Sequence, residues 1–247
     1  DAHARKTYLH NFEINEKDFN QDITKMNIKK IPEFDVLCAG FPCQPFSQAG
    51  KKRGFDDHRG NLFFNIADII NQKKPKAFFL ENVRGIKSHD DGNTIATIKD
   101  IIENRLGYSF YSKIIKASDF GLPQLRPRTF MVGFKNDEDK TFEFPQAHEK
   151  LKYNMSEVLN GKCSREIGFT LRVGGRGSKI TDRRNWDSYY VDGKVVRIGP
   201  KEGLKMQGFP DNFNMPVSQT QAMKQLGNSV AVDAIQAVGK KIINHFK

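Results

Sequence analysis

Cysteine is scarce in this chain. Cys38, Cys43 and Cys163 make an odd count in 247 residues, with no Cys-x-x-Cys pair, which argues against a disulfide framework and against a zinc site. The six histidines are scattered, none at ligand spacing to another, so no metal is expected. Long apolar runs are missing too. Nothing approaches the roughly 18 residues that cross a bilayer, and no signal-peptide pattern opens the chain. A cytoplasmic location is expected on that ground. There is no internal repeat and no low-complexity tract.

What is present is a globular composition with a charge surplus. With 38% apolar residues the chain can bury a core, and its length suits one domain with an elaboration or one domain plus a small second one. The formal net charge is +11. Lys and Arg in such excess suggest a polyanionic partner, because they neutralise phosphates and release counterions. Their distribution says more than the total. Between residues 170 and 184 five basic residues (Arg172, Arg176, Lys179, Arg183, Arg184) stand against one acid, Asp182, among Gly174, Gly175 and Gly177. A plain solvated loop would have the same composition.

Periodicity divides the chain into strands and helices. Residues 35–40 form a short apolar run ended by glycine, which predicts a strand buried on both faces, with Cys38 in the core. Leu62, Phe63, Ile66, Ile69 and Ile70 are spaced for one face of a helix over 62–72. After Pro75, residues 77–80 read as the next strand, followed by a helix over 93–105 and strands over 108–116 and 129–134. Strand–helix–strand alternation predicts an α/β fold with a parallel sheet over about the first 135 residues. From about 145 to 200 the pattern dissolves into glycine, charge and short possible strands, a separate small lobe. The last stretch, 228–246, reads as an amphipathic helix with Val232, Ile235, Val238, Ile242 and Ile243 on its buried side, its first turn capped by Gly227, Asn228 and Ser229.

Three short blocks carry chemistry. In Gly40-Phe-Pro-Cys-Gln44 the thiol of Cys43 follows the C-terminal end of a strand, where open α/β sheets place their ligand crevice. A lone Pro-Cys is more often an incidental turn cysteine. Glu81-Asn-Val83 ends the next strand and brings a carboxylate to the same edge, although a glutamate there can equally cap a helix. In Gln124-Leu-Arg126-Pro-Arg128 the two arginines at i and i+2 would point the same way from an extended segment, forming a cationic pair. Surface salt bridges explain that block equally well.

Together these blocks, in this order and followed by Gly227-Asn-Ser-Val230, resemble the DNA (cytosine-5)-methyltransferases of bacterial restriction–modification systems. The match runs from the first residue to the last helix and takes in Gln21-Asp-Ile-Thr24, Arg59-Gly60 and Gln207-Gly-Phe-Pro-Asp211. The resemblance implies a Rossmann-like, S-adenosylmethionine-dependent α/β sheet carrying a small, irregular, mostly β target-recognition lobe. It divides the chain into a catalytic domain at 1–144, the lobe at 145–200 and a return to the catalytic domain at 201–247. It gives Cys43 the attack on C6 of a flipped-out cytosine, Glu81 the stabilisation of N3, Arg128 the base carbonyl and Arg126 a positioning role. A protonated Glu81 would suit that task. Asp22, Ile23, Phe41, Pro42, Leu62, Asn228, Ser229 and Val230 resemble the walls of the S-adenosylmethionine pocket, from which S-adenosylhomocysteine leaves as product. Residues 45–61 resemble the loop that closes on duplex DNA. Gln44, Ser47, Lys51, Lys52 and Arg53 in and beside that loop, and Thr170, Arg172 and Arg176 in the lobe, are the expected DNA contacts.

The chain also departs from that family. The Phe-x-Gly-x-Gly block that cradles the cofactor is absent, with the acid that holds its ribose, and the first eight residues resemble the helix that follows them. About 30–45 residues are missing by that comparison. A fragment of a longer protein is the favoured explanation, ahead of the larger half of a split enzyme whose partner supplies the block, and of a permuted enzyme. The chain alone is then expected to be inactive; otherwise a monomer is expected. Two rival functions stand. An RNA (cytosine-5)-methyltransferase shares the motifs, but the basic Gly/Arg lobe and the lack of a Cys-Phe-Thr segment favour DNA. A DNA-binding half without catalysis is the other.

Overall fold

The computed structural model of the protein describes residues 1–20, 22–43, 62–135, 141–147 and 150–246. They fall into two compact units, one of Asp1–Phe19, Lys116–Pro127 and Pro145–Lys240, the other of Asn20–Ile115, Arg128–Phe144 and Lys241–Lys247.

The second unit is built on a four-stranded sheet in the order β1-β2-β4-β3, with β1 at Val36–Gly40, β2 at Ala77–Val83, β3 at Tyr111–Ile115 and β4 at Arg128–Phe134. α2 (Leu62–Lys73) precedes β2, and α3 (Asn93–Asp100) runs on through a π-helical turn to Arg105. The helices form where the apolar spacing predicts them: Phe63, Phe64, Ile66, Ala67, Ile69 and Ile70 of α2 are all buried. All but Ile69 join Phe78, Leu80, Ile98, Ile102 and Met131 in one cluster, where each large side chain removed from water contributes about 1.5–3 kcal/mol.

The sheet is mixed rather than parallel. β1 and β2 run parallel, but β4 is antiparallel to both β2 and β3. Parallel strands are usually joined through a crossover helix, and between β3 and β4 the chain makes no α-helix, only a 3-10 turn at Ala117–Phe120. Apolar alternation identifies strands without their direction. The expectation of a first strand buried on both faces is also corrected. β1 borders only β2 among the described strands; Leu37 and Ala39 pack on the cluster, whereas Cys38, on the opposite face, is exposed.

The other unit contains α1 (Ala2–Asn11), α4 (Met155–Leu159), the hairpin β5 (Ser188–Val191) and β6 (Lys194–Arg197), α5 (Pro200–Gln207), α6 (Gln219–Asn228) and most of α7 (Val232–His245). Asp1 caps α1 by accepting from the amides of His3 and Ala4. Asp192 and Gly193 turn the hairpin with φ of 47° and 74°, the pair of positive values that a two-residue type I′ turn requires. Trp186, Tyr189, Leu171, Met206, Met223 and Leu226 form the core. The helix expected over 228–246 starts later than its sequence pattern predicts, and Asn228 is instead the last residue of α6. Ser229 caps α6 and α7 starts at Val232, because the carbonyls of Gly227 and Ser229 accept from the Arg126 guanidinium. Val238 and Ile242 are buried as expected, but Ile243 is 57% exposed. No helix among the described residues is long and apolar enough to cross a membrane.

Candidate active site

β1 and β2 bring the first two chemical blocks to one edge of the sheet. Their register sets Gly40 beside Glu81, and Cys43 follows Gly40 by three residues. A Cβ at Gly40 would stand 3.4 Å from Glu81 Oε2, so glycine here leaves space for the carboxylate. The chain beyond β1 is held by Asn82. This side chain, 1% exposed, donates from Nδ2 to the carbonyl of Phe41 at 2.9 Å. Sequence reasoning gave Asn82 no role; the signal was an amide residue just past the apolar run 77–80, on the same strand face as Leu80.

Arg128 comes to the same edge from β4. It lies opposite Val83 in the antiparallel register, while Glu81 lies opposite Phe130. Glu81 and Arg128 are thus diagonal neighbours on one face, and Arg128 Nε stands 2.8 Å from Glu81 Oε1. Burial draws the Arg128 guanidinium below its ordinary pKa, and the Glu81 charge opposes that shift. Cys43 is half-buried against the apolar cluster, and desolvation pushes its thiol up. The thiol is therefore more strongly protonated than an exposed cysteine.

Arg126 does not join Arg128 in a cationic pair. Its φ of 29° breaks the extended geometry that such a pair needs. The side chain, 2% exposed, donates to the carbonyls of Leu171 at 3.1 Å, Gly227 at 2.9 Å and Ser229, and its amide donates to Thr170 Oγ1 at 3.1 Å. A second buried amide belongs to the same network. Gln124 accepts from the Leu171 amide at 3.0 Å and donates to Gln207 Oε1 at 3.2 Å, and Gln207 donates to the Leu226 carbonyl and to Ser229 Oγ. Gly227 lies so close to residue 172 that a Cβ there would meet the Arg172 carbonyl carbon at 2.5 Å. The Gln-x-Arg, Gln-Gly-Phe-Pro and Gly-Asn-Ser blocks are thus knitted into one buried polar lattice.

The expected cofactor residues divide between the units. In the sheet unit Phe41 is buried, Ile23 and Leu62 are part-buried on the same cluster, and Pro42 is exposed. Beside Ile23, the exposed Asp22 accepts from the hydroxyl and amide of Thr24, which lower its pKa. Apolar faces with one ionised carboxylate fit a flat base with a polar edge, such as an adenine ring. In the other unit Asn228 is exposed and Val230 part-buried, while Ser229 donates to the Leu226 carbonyl at 3.0 Å.

Of the expected DNA contacts, Gln44, Ser47, Lys51, Lys52 and Arg53, with the loop at 45–61, lie outside the described residues. In the lobe Arg172 is exposed. Arg176 turns inward instead, donating to the Ile198 carbonyl at 3.0 Å and facing Asp187. Thr170 is part-buried as the acceptor for Arg126.

The family model described as C-5 cytosine-specific DNA methylase matches residues 1–172 and 161–244. Among curated proteins the chain is 42% identical to Type II methyltransferase M1.ScrFI of Lactococcus lactis subsp. cremoris over 279 residues, which cover 98% of this chain and 70% of the relative. It is 38% identical to Type II methyltransferase M.HhaI of Haemophilus parahaemolyticus over 281 residues, 98% of this chain and 85% of the relative. Among solved structures, Entamoeba histolytica methyltransferase EhMeth superimposes with a TM-score of 0.69 at 17% identity, covering 100% of this chain and 88% of that one. S. pombe Dnmt2 methyltransferase does so with 0.65 at 16%, covering 93% and 85%. At such identities the two structures speak for the fold alone.

Proposed function

Because this chain belongs to the C-5 cytosine-specific DNA methylase family, we propose that it methylates C5 of a flipped-out cytosine in a specific duplex DNA site through a bond between Cys43 Sγ and C6, as the modification enzyme of a restriction–modification system. The observation that carries this reading is the sheet edge where Glu81 faces Gly40 and holds Arg128 at 2.8 Å, with Cys43 three residues beyond Gly40.

C5 of cytosine is a poor nucleophile. Attack of a thiolate at C6 makes C5 an enamine-type carbon, which splits one difficult step into easier ones. Burial disfavours the Cys43 thiolate, so passing the thiol proton to water is part of the cost of the attack. Charge that develops on the ring is met at N3 by a proton from the Glu81 carboxyl, which takes that proton up from water as the base draws Arg128 away to its own carbonyl. The two residues pair with each other at 2.8 Å, and the entering base takes over their hydrogen bonds. S-adenosylmethionine is the cofactor and supplies an electrophilic methyl group when bound; Ile23, Phe41, Pro42 and Leu62 would hold its adenine face. Loss of the C5 proton to water then breaks the C6–S bond, releases Cys43 as the thiolate and restores the aromatic ring.

A stacked cytosine offers Cys43 no approach to C6, so the base leaves the duplex at a cost of roughly a few kcal/mol. The lobe at 145–200 is the reader of the target, and the exposed Arg172 takes a phosphate there. Methyl transfer by Cys43→Ser tests the mechanism. Turnover is expected to vanish while specific DNA binding persists, and near-normal turnover would refute the role of Cys43.

A further inference from the structure

The Gly/Arg segment of the lobe is held from outside by the residues that lead into β5 and by the last residue of β6. Trp186 Nε1 donates to the Gly174 carbonyl at 3.0 Å, the Gly177 amide donates to Asp187 Oδ2 at 3.1 Å, and Arg197 Nη2 donates to the Ser178 carbonyl at 3.5 Å. Gly175 and Gly177 have φ of 77° and 93°, so the segment adopts a shape that side chains rarely accept. Asp187, 0% exposed, is the centre of the arrangement. Its Oδ2 also lies 3.2 Å from Arg197 Nε and 3.5 Å from Arg176 Nε, the latter a charge contact rather than a hydrogen bond.

A buried carboxylate is a costly way to hold a loop. An apolar residue of similar volume is often neutral or stabilising in such a place, and Asp187 Oδ1 has no hydrogen-bond partner among the described residues. What Asp187 does that an apolar residue cannot is sort the cations. Arg176 is drawn inward towards it, Arg197 lies against it while keeping 46% of its side chain exposed, and Arg172, Lys179 and Arg183 have no such anchor among the described residues and stay exposed; Arg184 is held separately by Asp182 at 2.8 Å. A loop with every cation free would grip phosphates on any sequence. A loop with a set shape and a chosen subset of cations presents one pattern to the DNA.

We propose that Asp187 is a positioning residue for target recognition, which fixes the loop at 174–178 and selects the cations that face DNA. This rests on the reading of the lobe as the target reader. The test is Asp187→Asn in the enzyme, which keeps an acceptor for the Gly177 amide and removes the charge. The ratio of cognate to scrambled-duplex affinity should fall about tenfold or more. The salt slope on scrambled duplex should steepen by about one to two units as Arg176 and Arg197 reach phosphates. KM for DNA should rise while kcat at saturating DNA stays within about twofold. A residue that only supports the fold would weaken binding to both duplexes and leave the slope unsteepened. Unchanged discrimination and slope in folded Asp187→Asn overturn the proposal.

Should that variant not fold, Arg176→Gln carries the same question. Discrimination should drop with the salt slope unchanged, and a slope lower by about one unit would make Arg176 itself a phosphate contact and overturn the proposal. Arg172→Ala and a combined Lys179→Ala, Arg183→Ala variant separate the two readings. If neither alters binding to any duplex, the lobe is not the reader, and both readings fall. If they weaken binding while Asp187→Asn keeps full discrimination, only the positioning role falls.

Discussion

Glu81 and Asp187 both set a carboxylate against arginine, and the two settings differ in what can reach them. Glu81 keeps 18% of its side chain exposed and its partner Arg128 13%. Asp187 is fully enclosed, with two guanidinium groups and a backbone amide on one oxygen. Breaking a fully buried pair by removing one partner costs about 3–5 kcal/mol, and that cost falls as water reaches the pair. Solvent access lets a substrate group replace a partner without stranding a charge. Glu81–Arg128 is thus a pair that a ligand can open, and the Asp187 cluster is one that keeps a loop in shape. The same contrast separates Arg126 from Arg128, two positions apart in sequence. Arg126 serves three backbone carbonyls at 2% exposure, and Arg128 pairs with Glu81 at the sheet edge.

The contrast breaks most visibly at Glu81. Glu81→Gln keeps the shape and loses the exchangeable proton, so turnover should fall about 10²–10⁴-fold with DNA affinity retained. Turnover within a few-fold of the parent would leave the Glu81 edge without a chemical role. Next comes stability. Arg126→Gln removes charged donors from buried carbonyls and should lower the unfolding free energy by about 3 kcal/mol, read from the denaturant midpoint. Arg128→Gln should cost less than that, because water still reaches both partners, and should damage turnover instead. Equal destabilisation by the two would erase the distinction. The smallest effect is at the thiol. Burial raises the Cys43 pKa, so its thiolate is depleted at neutral pH, and alkylation by iodoacetamide should still be climbing where an ordinary cysteine is half ionised. A rate that levels off at lower pH would mean a thiolate stabilised before substrate arrives.

Much of the sheet unit was legible because its physics is periodic. The apolar spacing of α2 and the runs that became β2 and β4 needed no tertiary information, and with them came the juxtaposition of Gly40 and Glu81. Strand direction was not legible, because alternation is the same in parallel and antiparallel sheets. The exposure of Cys38 escaped too, since burial of an edge strand depends on its neighbours rather than its composition. In the other unit the stabilising contacts are polar and distant in sequence. Gln124 meets Gln207, and Arg126 meets Ser229; no local pattern announces either. Asp192-Gly193 was a hairpin signal available in the sequence. Asp187 gave none, because a buried aspartate and a surface one are written with the same letter.

Covalent capture of the base puts Cys43 to the sharpest trial. A duplex carrying 5-fluorocytosine at the target, with S-adenosylmethionine present, offers C5 no proton to lose, so the thioether to C6 cannot be released. The enzyme should form a denaturation-resistant complex with that duplex, Cys43→Ser should form none, and the modified peptide should contain Cys43. A complex that persists in Cys43→Ser, or a modification that maps to Cys38 or Cys163, would contradict attack by Cys43.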